Sequence, residues 1–279
     1  MDTIASQLND PATRAIAGFT AAALVSLAAF RARALSPSGA IAATLTGGAI
    51  VGAGGWWLGL ILVVYFTTSS ALSLLAKSRG TGAGQARGSR RDAVQVLANG
   101  GIPVVFALIS FLPSDPSPWL AASVGAIAGA SADTWATEAG RYSRANPRLI
   151  TTGKPVPPGT SGGMTLLGTA AAIAAAATIA GVAAIGHATG WLDVRGSTLS
   201  ILLTVTVGGV VGCLADSLLG ATVQHKRRCP ACQVHTERDV HTCGTSTVLA
   251  SGLRWVNNDV VNVAGILAAG LSTAILTRI

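Results

Sequence analysis

Charge is what this chain has least of. Only 11% of its 279 residues are Asp, Glu, Lys or Arg, against roughly 25% in an average soluble domain. Acids are the scarcer sign, 11 against 19 Lys and Arg. With 50% hydrophobic residues and a mean hydropathy of +0.56, this excludes a disordered chain and argues against a soluble enzyme. Cysteine is sparse too, and four are too few for a disulfide scaffold. The opening segment, Met1 to Arg14, carries Asp2 and Asp10 and lacks a basic n-region, so no cleavable signal peptide is expected. What remains is an all-α, polytopic membrane helix bundle in a single transmembrane domain, residues 1–279. The net charge of +8 then needs no nucleic acid, because membrane proteins load Lys and Arg into cytoplasmic loops.

A membrane-crossing helix needs roughly 20 mainly apolar residues. Eight stretches qualify: about 12–31, 38–54, 57–76, 93–112, 118–140, 162–187, 198–223 and 257–277. The second is short and glycine-rich, which leaves seven spans open. Breakers separate them: Ser36-Pro37-Ser38, Gly54-Gly55, the prolines of 113–118, and Pro155 to Gly163. Sixteen of the 19 basic residues fall on alternate loops, and only Arg14, Arg195 and Arg278 lie on the other side. The positive-inside rule then predicts eight spans with both termini outside and a cytoplasmic loop at 225–256. The expected location is a bacterial inner membrane, with the site facing the cytoplasm.

Asp92, Asp133, Glu138, Asp216 and Asp259 all fall within or at the end of an expected span. Asp133 and Asp216 sit about eight residues before the inner end, roughly 12 Å deep. An ionisable group there costs several kcal/mol unless paired or hydrated, so a functional role is its default reading. Both belong to a parallel repeat, Gly125-x3-Gly129-x2-Ala132-Asp133-Thr134 and Gly208-x3-Gly212-x2-Ala215-Asp216-Ser217. The Gly-x3-Gly spacing permits close helix contact, so the two helices are expected to meet and hold the carboxylates level. Paired hard oxygens suit Mg²⁺, usually with bound phosphate.

Amides surround these acids. Asp92, Gln95 and Asn99 share one face of the fourth span. Gln224 ends the seventh, and Asn257-Asn258-Asp259 opens the eighth, with Asn262 a turn beyond Asn258. One of Asn257 and Asn258 is also a candidate helix cap. Lys154 to Gly163 reads as an anion-binding loop ahead of a helix N-terminus. Gly159, Gly162 and Gly163 allow close approach of backbone N–H groups, and Thr160, Ser161 and Lys154 add donors and charge. The Walker A spacing is absent. In the last loop, Cys229-x2-Cys232 and His241-x-Cys243 have the spacing of a structural tetrahedral Zn²⁺ site, with His235 a substitute for His241. Cys213, inside a span, reads as packing.

Five motifs in order carry a resemblance. They are Arg91-Asp92-x2-Gln95-x3-Asn99-Gly100, Asp133-Thr-Trp-Ala-Thr-Glu138, Thr152-Gly-Lys154 to Gly163, Asp216 to Gln224, and Asn257-Asn258-Asp259-x2-Asn262. Over about residues 35–277 the chain resembles the DUF92 (transmembrane protein 19-like) integral membrane family. Plant members of that family include phytyl-phosphate kinase, and the family is similar, more distantly, to CTP-using polyprenol kinases and membrane cytidylyltransferases.

The resemblance implies an isoprenoid monophosphate kinase that transfers a phosphoryl group from CTP or ATP to a prenyl phosphate. Asp133, Glu138, Asp216 and Asp259 would then hold Mg²⁺, with Lys154 assisting. Arg90, Arg91 and the 159–163 loop would bind phosphates. Gln95, Asn99, Gln224, Asn257, Asn258 and Asn262 would orient substrate and nucleotide. The tail would lie against the small residues of spans 2 and 6. The bilayer, the prenyl phosphate and the nucleotide are the expected partners, with a homodimer left open. The competing readings are an ion or solute transporter using intramembrane carboxylates and a related CTP-dependent lipid kinase or nucleotidyltransferase.

Overall fold

Helices start where the sequence supplies a cap. In the computed structural model, which describes residues 10–78, 90–233, 235–236 and 239–278, six helix starts are sealed by a side chain, among them that at Pro37, where Ser36 Oγ accepts from Gly39 N at 3.1 Å. Asp10 accepts from Thr13 N at 3.0 Å and opens α1 (Pro11–Arg31). Asp92 and Gln95 form a reciprocal capping box at the start of α3 (Ala93–Ile109). Thr165, Ser197 and Asn257 cap α5 (Leu166–Ala188), α6 (Thr198–Thr222) and α7 (Asn258–Leu276). Helix α4 covers Ser117–Gly140.

Helix α2 (Pro37–Ser78) is interrupted at Gly55, whose φ of 84° is open to glycine. A Cβ on Gly59 would collide with Val51. In one continuous helix those residues would stand roughly 12 Å apart. The chain therefore doubles back at Gly55, and its two arms are the second and third expected spans. Among the described residues, five helices, counting α2 once, are long and apolar enough to cross a membrane. Exposed Leu24, Leu45, Leu108, Leu203 and Ile275 supply an apolar exterior suited to lipid. The architecture is that of a polytopic all-α membrane protein.

Among the described residues, the loops richest in Arg and Lys meet at one end of the bundle, here called the basic end. Leu35, between α1 and α2, bridges to Arg91 just before α3. The hairpin of β1 (Arg148–Leu149) and β2 (Gly163–Met164) joins α4 to α5. Between α6 and α7 lies a small antiparallel sheet of β3 (Lys226–Arg228), β4 (His235–Thr236) and β5 (Val248–Ser251), in the order β4-β3-β5. At the far end Arg14 donates to the Gly52 carbonyl and Arg195 pairs with Asp115 at 3.0 Å. The Lys77 side chain, Arg79, Arg87 and Arg238, which also entered the charge pattern, lie outside the described residues, as do Glu237 and the His235 side chain.

The repeat glycines meet differently from the expected pairing. Gly125 of α4 and Gly208 of α6 both press on Thr273 of α7. Gly129 and Gly212 both press on Ala269. The two Gly-x3-Gly faces thus close on one stripe of a third helix. Contact between α4 and α6 themselves runs through Gly209, whose Cβ would lie 3.0 Å from Ala128 Cβ. Gly208→Ala is expected to destabilise the fold by about 1–3 kcal/mol through overpacking. Thr273→Ala in the same chain should restore part of that loss. Thermal unfolding in detergent reads both, and an unaltered transition in Gly208→Ala would remove this contact from the account.

Candidate functional site

The stripe on α7 brings the two repeat aspartates to one place. Asp133, Asp216, Asn99 and Asn262 line a single small cleft, with Gly129, Gly212, Gly265 and Ile266 as its walls. Room for these side chains comes from the missing Cβ at Gly265, which would sit 3.1 Å from Asp216 Cβ. In the amide orientation that suits its neighbours, Asn262 Nδ2 donates to Asp216 Oδ2 at 2.9 Å and to the Asn258 carbonyl at 3.2 Å. Asn99 Nδ2 donates to the Gln95 carbonyl at 2.9 Å, which leaves its amide oxygen as an acceptor beside the aspartates. The cleft therefore offers carboxylate and amide oxygens within the bundle, a donor set suited to a hard cation.

Other expected residues are engaged elsewhere. Glu138 is buried but does not line the cleft. Its Oε1 accepts from Ser73 Oγ at 2.8 Å and its Oε2 pairs with Arg141 at 3.1 Å. Asp259, also buried, lies in the first turn of α7, a turn before Asn262, and does not line the cleft. Asp92 and Gln95 serve the α3 cap, and Asn257 serves the α7 cap, accepting from Val260 N at 3.0 Å. Asn258 is exposed, as are Arg90 and Lys154.

The glycine loop reaches the same region. Gly162, with φ of 79°, lies so close to α6 that a Cβ would meet the Ser217 carbonyl and Ala221. That is the turn directly after Asp216. Gln224, buried at the end of α6, has its Oε1 3.2 Å from the position of a Gly220 Cβ, beside Gly162 N. The loop does not run straight into a helix, however. Gly163 and Met164 pair with β1, and Thr165 caps α5 by accepting from Gly168 N at 3.0 Å. Thr160 Oγ1 donates to the Pro157 carbonyl at 2.7 Å inside the loop. Helix α5 thus begins four residues later than the sequence suggests, because strand pairing claims the glycines first.

A second cavity of about 310 Å³ lies between α1, both arms of α2 and α3. Its lining is mainly apolar, with Arg91, Gln95 and Asn99 on the α3 side. Asn99 thus borders both the groove and the aspartate cleft. The Arg91 guanidinium lies 5.9 Å from the Tyr65 ring centroid and 5.6 Å from that of Phe66. Sequence reasoning missed Tyr65, Phe66 and Ser73. The signal for Ser73 was its place in Ser69-Ser70-x2-Ser73, a hydroxyl cluster in an otherwise apolar arm.

In the loop sheet, Cys229, Cys232, His241 and Cys243 gather their ligand atoms within 4.8 Å of one another. Cys229 Sγ and Cys243 Sγ are 3.6 Å apart, and metal–sulfur bonds of about 2.3 Å give a tetrahedral edge of roughly 3.8 Å. Cys232 N donates to Cys229 Sγ at 3.4 Å. Hydrogen bonds with Thr245 and then His241 draw the Cys243 thiol down to about 5, while its bond with Cys243 pushes Cys232 up to about 11. This Cys3His cluster could bind a metal.

These features define a class: an all-α integral membrane protein with two aspartates sharing a cleft inside its bundle. The chain belongs to the family described as integral membrane protein DUF92, which it matches over residues 20–270. It is 33% identical to Protein PGR of Arabidopsis thaliana, covering 95% of this chain and 96% of that one. An uncharacterized membrane protein of Synechocystis is 32% identical over 69% of this chain and 73% of its own. Another, from Methanocaldococcus jannaschii, is 37% identical over 49% and 52%. No solved structure matches the chain.

Arg141→Ala is expected to cost on the order of 3 kcal/mol, since it strands the buried Glu138 carboxylate, and Mg²⁺ should not restore it. Recovery of the unfolding temperature on adding Mg²⁺ would instead make Glu138 a cation ligand.

Proposed function

We propose that the chain is an isoprenoid monophosphate kinase of the membrane, taking a phosphoryl group from CTP or ATP. The observation that carries this reading is the shared cleft of Asp133, Asp216, Asn99 and Asn262, joined through Asn99 to an apolar groove. Carboxylates, amides and a glycine loop at one end of a lipid-facing bundle suit a reaction between a polar phosphate donor and a lipid acceptor. The basic end faces the cytoplasm in this reading, where nucleotide is available.

Asp133 and Asp216 would hold Mg²⁺, which supplies charge neutralisation on the phosphates. Asn262 fixes the Asp216 carboxylate by donating to it. Gly159, Ser161 and Gly162 would offer backbone N–H groups to the nucleotide phosphates, those of Thr160 and Gly163 being bonded within the loop, and Lys154 and Arg90 add positive charge at the exposed edge. Gln224 buttresses that loop from the end of α6. An oxygen of the lipid phosphate attacks the γ-phosphorus. The new P–O bond forms as the bond to the bridging oxygen breaks, and nucleoside diphosphate leaves. The acceptor is already anionic, so no strong base is needed. Phosphoryl transfer requires chiefly positioning and electrostatic stabilisation.

The Cys3His cluster is read as a structural Zn²⁺ site, since three thiolates and an imidazole with no open position suit that ion. Elemental analysis of purified protein should give about one zinc per chain, lost in Cys229→Ser. A zinc-free, folded protein would contradict this assignment.

The decisive assay uses purified protein, Mg²⁺, labelled CTP or ATP, and phytyl or geranylgeranyl phosphate. Label should appear in the prenyl diphosphate. Asp133→Asn and Asp216→Asn should each lower the rate by about 10²-fold or more. No product from folded protein with either nucleotide and either lipid would contradict the kinase reading.

A further inference from the structure

We infer that the groove between α1, the α2 hairpin and α3 binds the single hydrocarbon chain of a phosphate-bearing amphiphile, with its head group on the α3 stripe Arg91–Gln95–Asn99. The inference deepens the kinase reading, on which its choice of a phosphate head group rests.

The groove's volume of about 310 Å³ is at the low end of ligand pockets, roughly 300–1,000 Å³. That is the scale of one hydrocarbon chain. Its walls include the small residues Ala22, Ala43, Gly47 and Gly59; Gly59 and Gly47 bring the backbone close to Val51 and Ala22 at its edge. Val25 on α1 and Leu60 and Val63 on α2 line it and are also exposed, at 42%, 42% and 37%. The mouth therefore opens sideways between helices, toward the bilayer, and a lipid can slide in without leaving the membrane.

The polar end fixes the head group. Arg91 is the one charged residue among those lining the groove. It is held by two aromatic rings, and among the described residues no carboxylate pairs with it. Its charge is thus open to an anion. Gln95 and Asn99 continue from it along one face of α3, one helical turn apart. Asn99 then stands on the rim of the aspartate cleft. A phosphate held by Arg91 would have its tail in the groove, with Asn99 between it and the aspartate cleft.

The test measures binding of labelled phytyl phosphate to purified protein in phosphatidylcholine nanodiscs. Phytol, which lacks the phosphate, and dioleoyl phosphatidic acid, which has two chains, serve as competitors. Unlabelled phytyl phosphate should displace the label, and the two competitors should need at least about tenfold more. Arg91→Ala should weaken binding by about tenfold and Arg91→Lys by less, since the charge remains. Val63→Trp, at the exposed mouth, should weaken it while Val63→Leu does not. Equal competition by phosphatidic acid, or unaltered binding in both Arg91→Ala and Val63→Trp, would overturn the groove assignment. Binding without transfer by the unaltered protein would sink the kinase reading and leave this one. Transfer with an unaltered KM in both variants would do the reverse.

Discussion

Two glycine faces closing on one helix hold the centre of this protein together. Gly125 and Gly129 of α4 and Gly208 and Gly212 of α6 meet the same two residues of α7, Thr273 and Ala269. In lipid there is no hydrophobic drive between helices, so such backbone approach is what packing can supply. Its geometric result is symmetry. Each aspartate lies four residues beyond the second glycine of its pair, so matched docking brings Asp133 and Asp216 into the same cleft. Asn262 comes from the supporting helix itself, two turns before Ala269, and donates to one of the pair. The support and the site are one piece of structure.

The amino-terminal half adds what that centre lacks. Helix α1 packs closely on the first arm of α2, where Gly18 and Gly48 lie against Val51 and Phe19, and a groove remains between that pair, the second arm and α3. Helix α3 closes that groove on one side and the aspartate cleft on the other. In the proposed reading the lipid groove and the cation site share this wall, so a membrane-dissolved acceptor would meet the polar reaction there. At the basic end the glycine loop comes near, with Gly162 seated on α6 just past Asp216.

Much of this was legible in the sequence. Apolar runs and their breakers gave the helices, and Gly54-Gly55 marked the reversal within α2. The repeat pointed to Asp133 and Asp216, but its spacing says which face is small, and not what fills it. That information belongs to α7, whose Ala269 and Thr273 look ordinary in an apolar helix. Glu138 stands five residues from Asp133, about 140° around the helix, so it faces Ser73 and Arg141 instead. Asp92 and Gln95 share a face with Asn99, yet the three-residue spacing between them is also that of a capping box, and the unsatisfied N–H groups of the helix start claim them. The glycines of 159–163 suggested a helix entrance, but pairing with β1 is a non-local choice that composition does not announce.

In the proposed reading Asp133 and Asp216 form one hard-cation site. Mn²⁺ is an EPR-visible substitute for Mg²⁺, and it is poorly matched to the thiolates of the Cys3His cluster. Titration of the purified protein with Mn²⁺, followed by EPR, would count sites directly. The account predicts a tight site that vanishes in Asp133→Asn and equally in Asp216→Asn, and that survives in Glu138→Gln. Retention of the site in either aspartate variant, or its loss in Glu138→Gln alone, would contradict it.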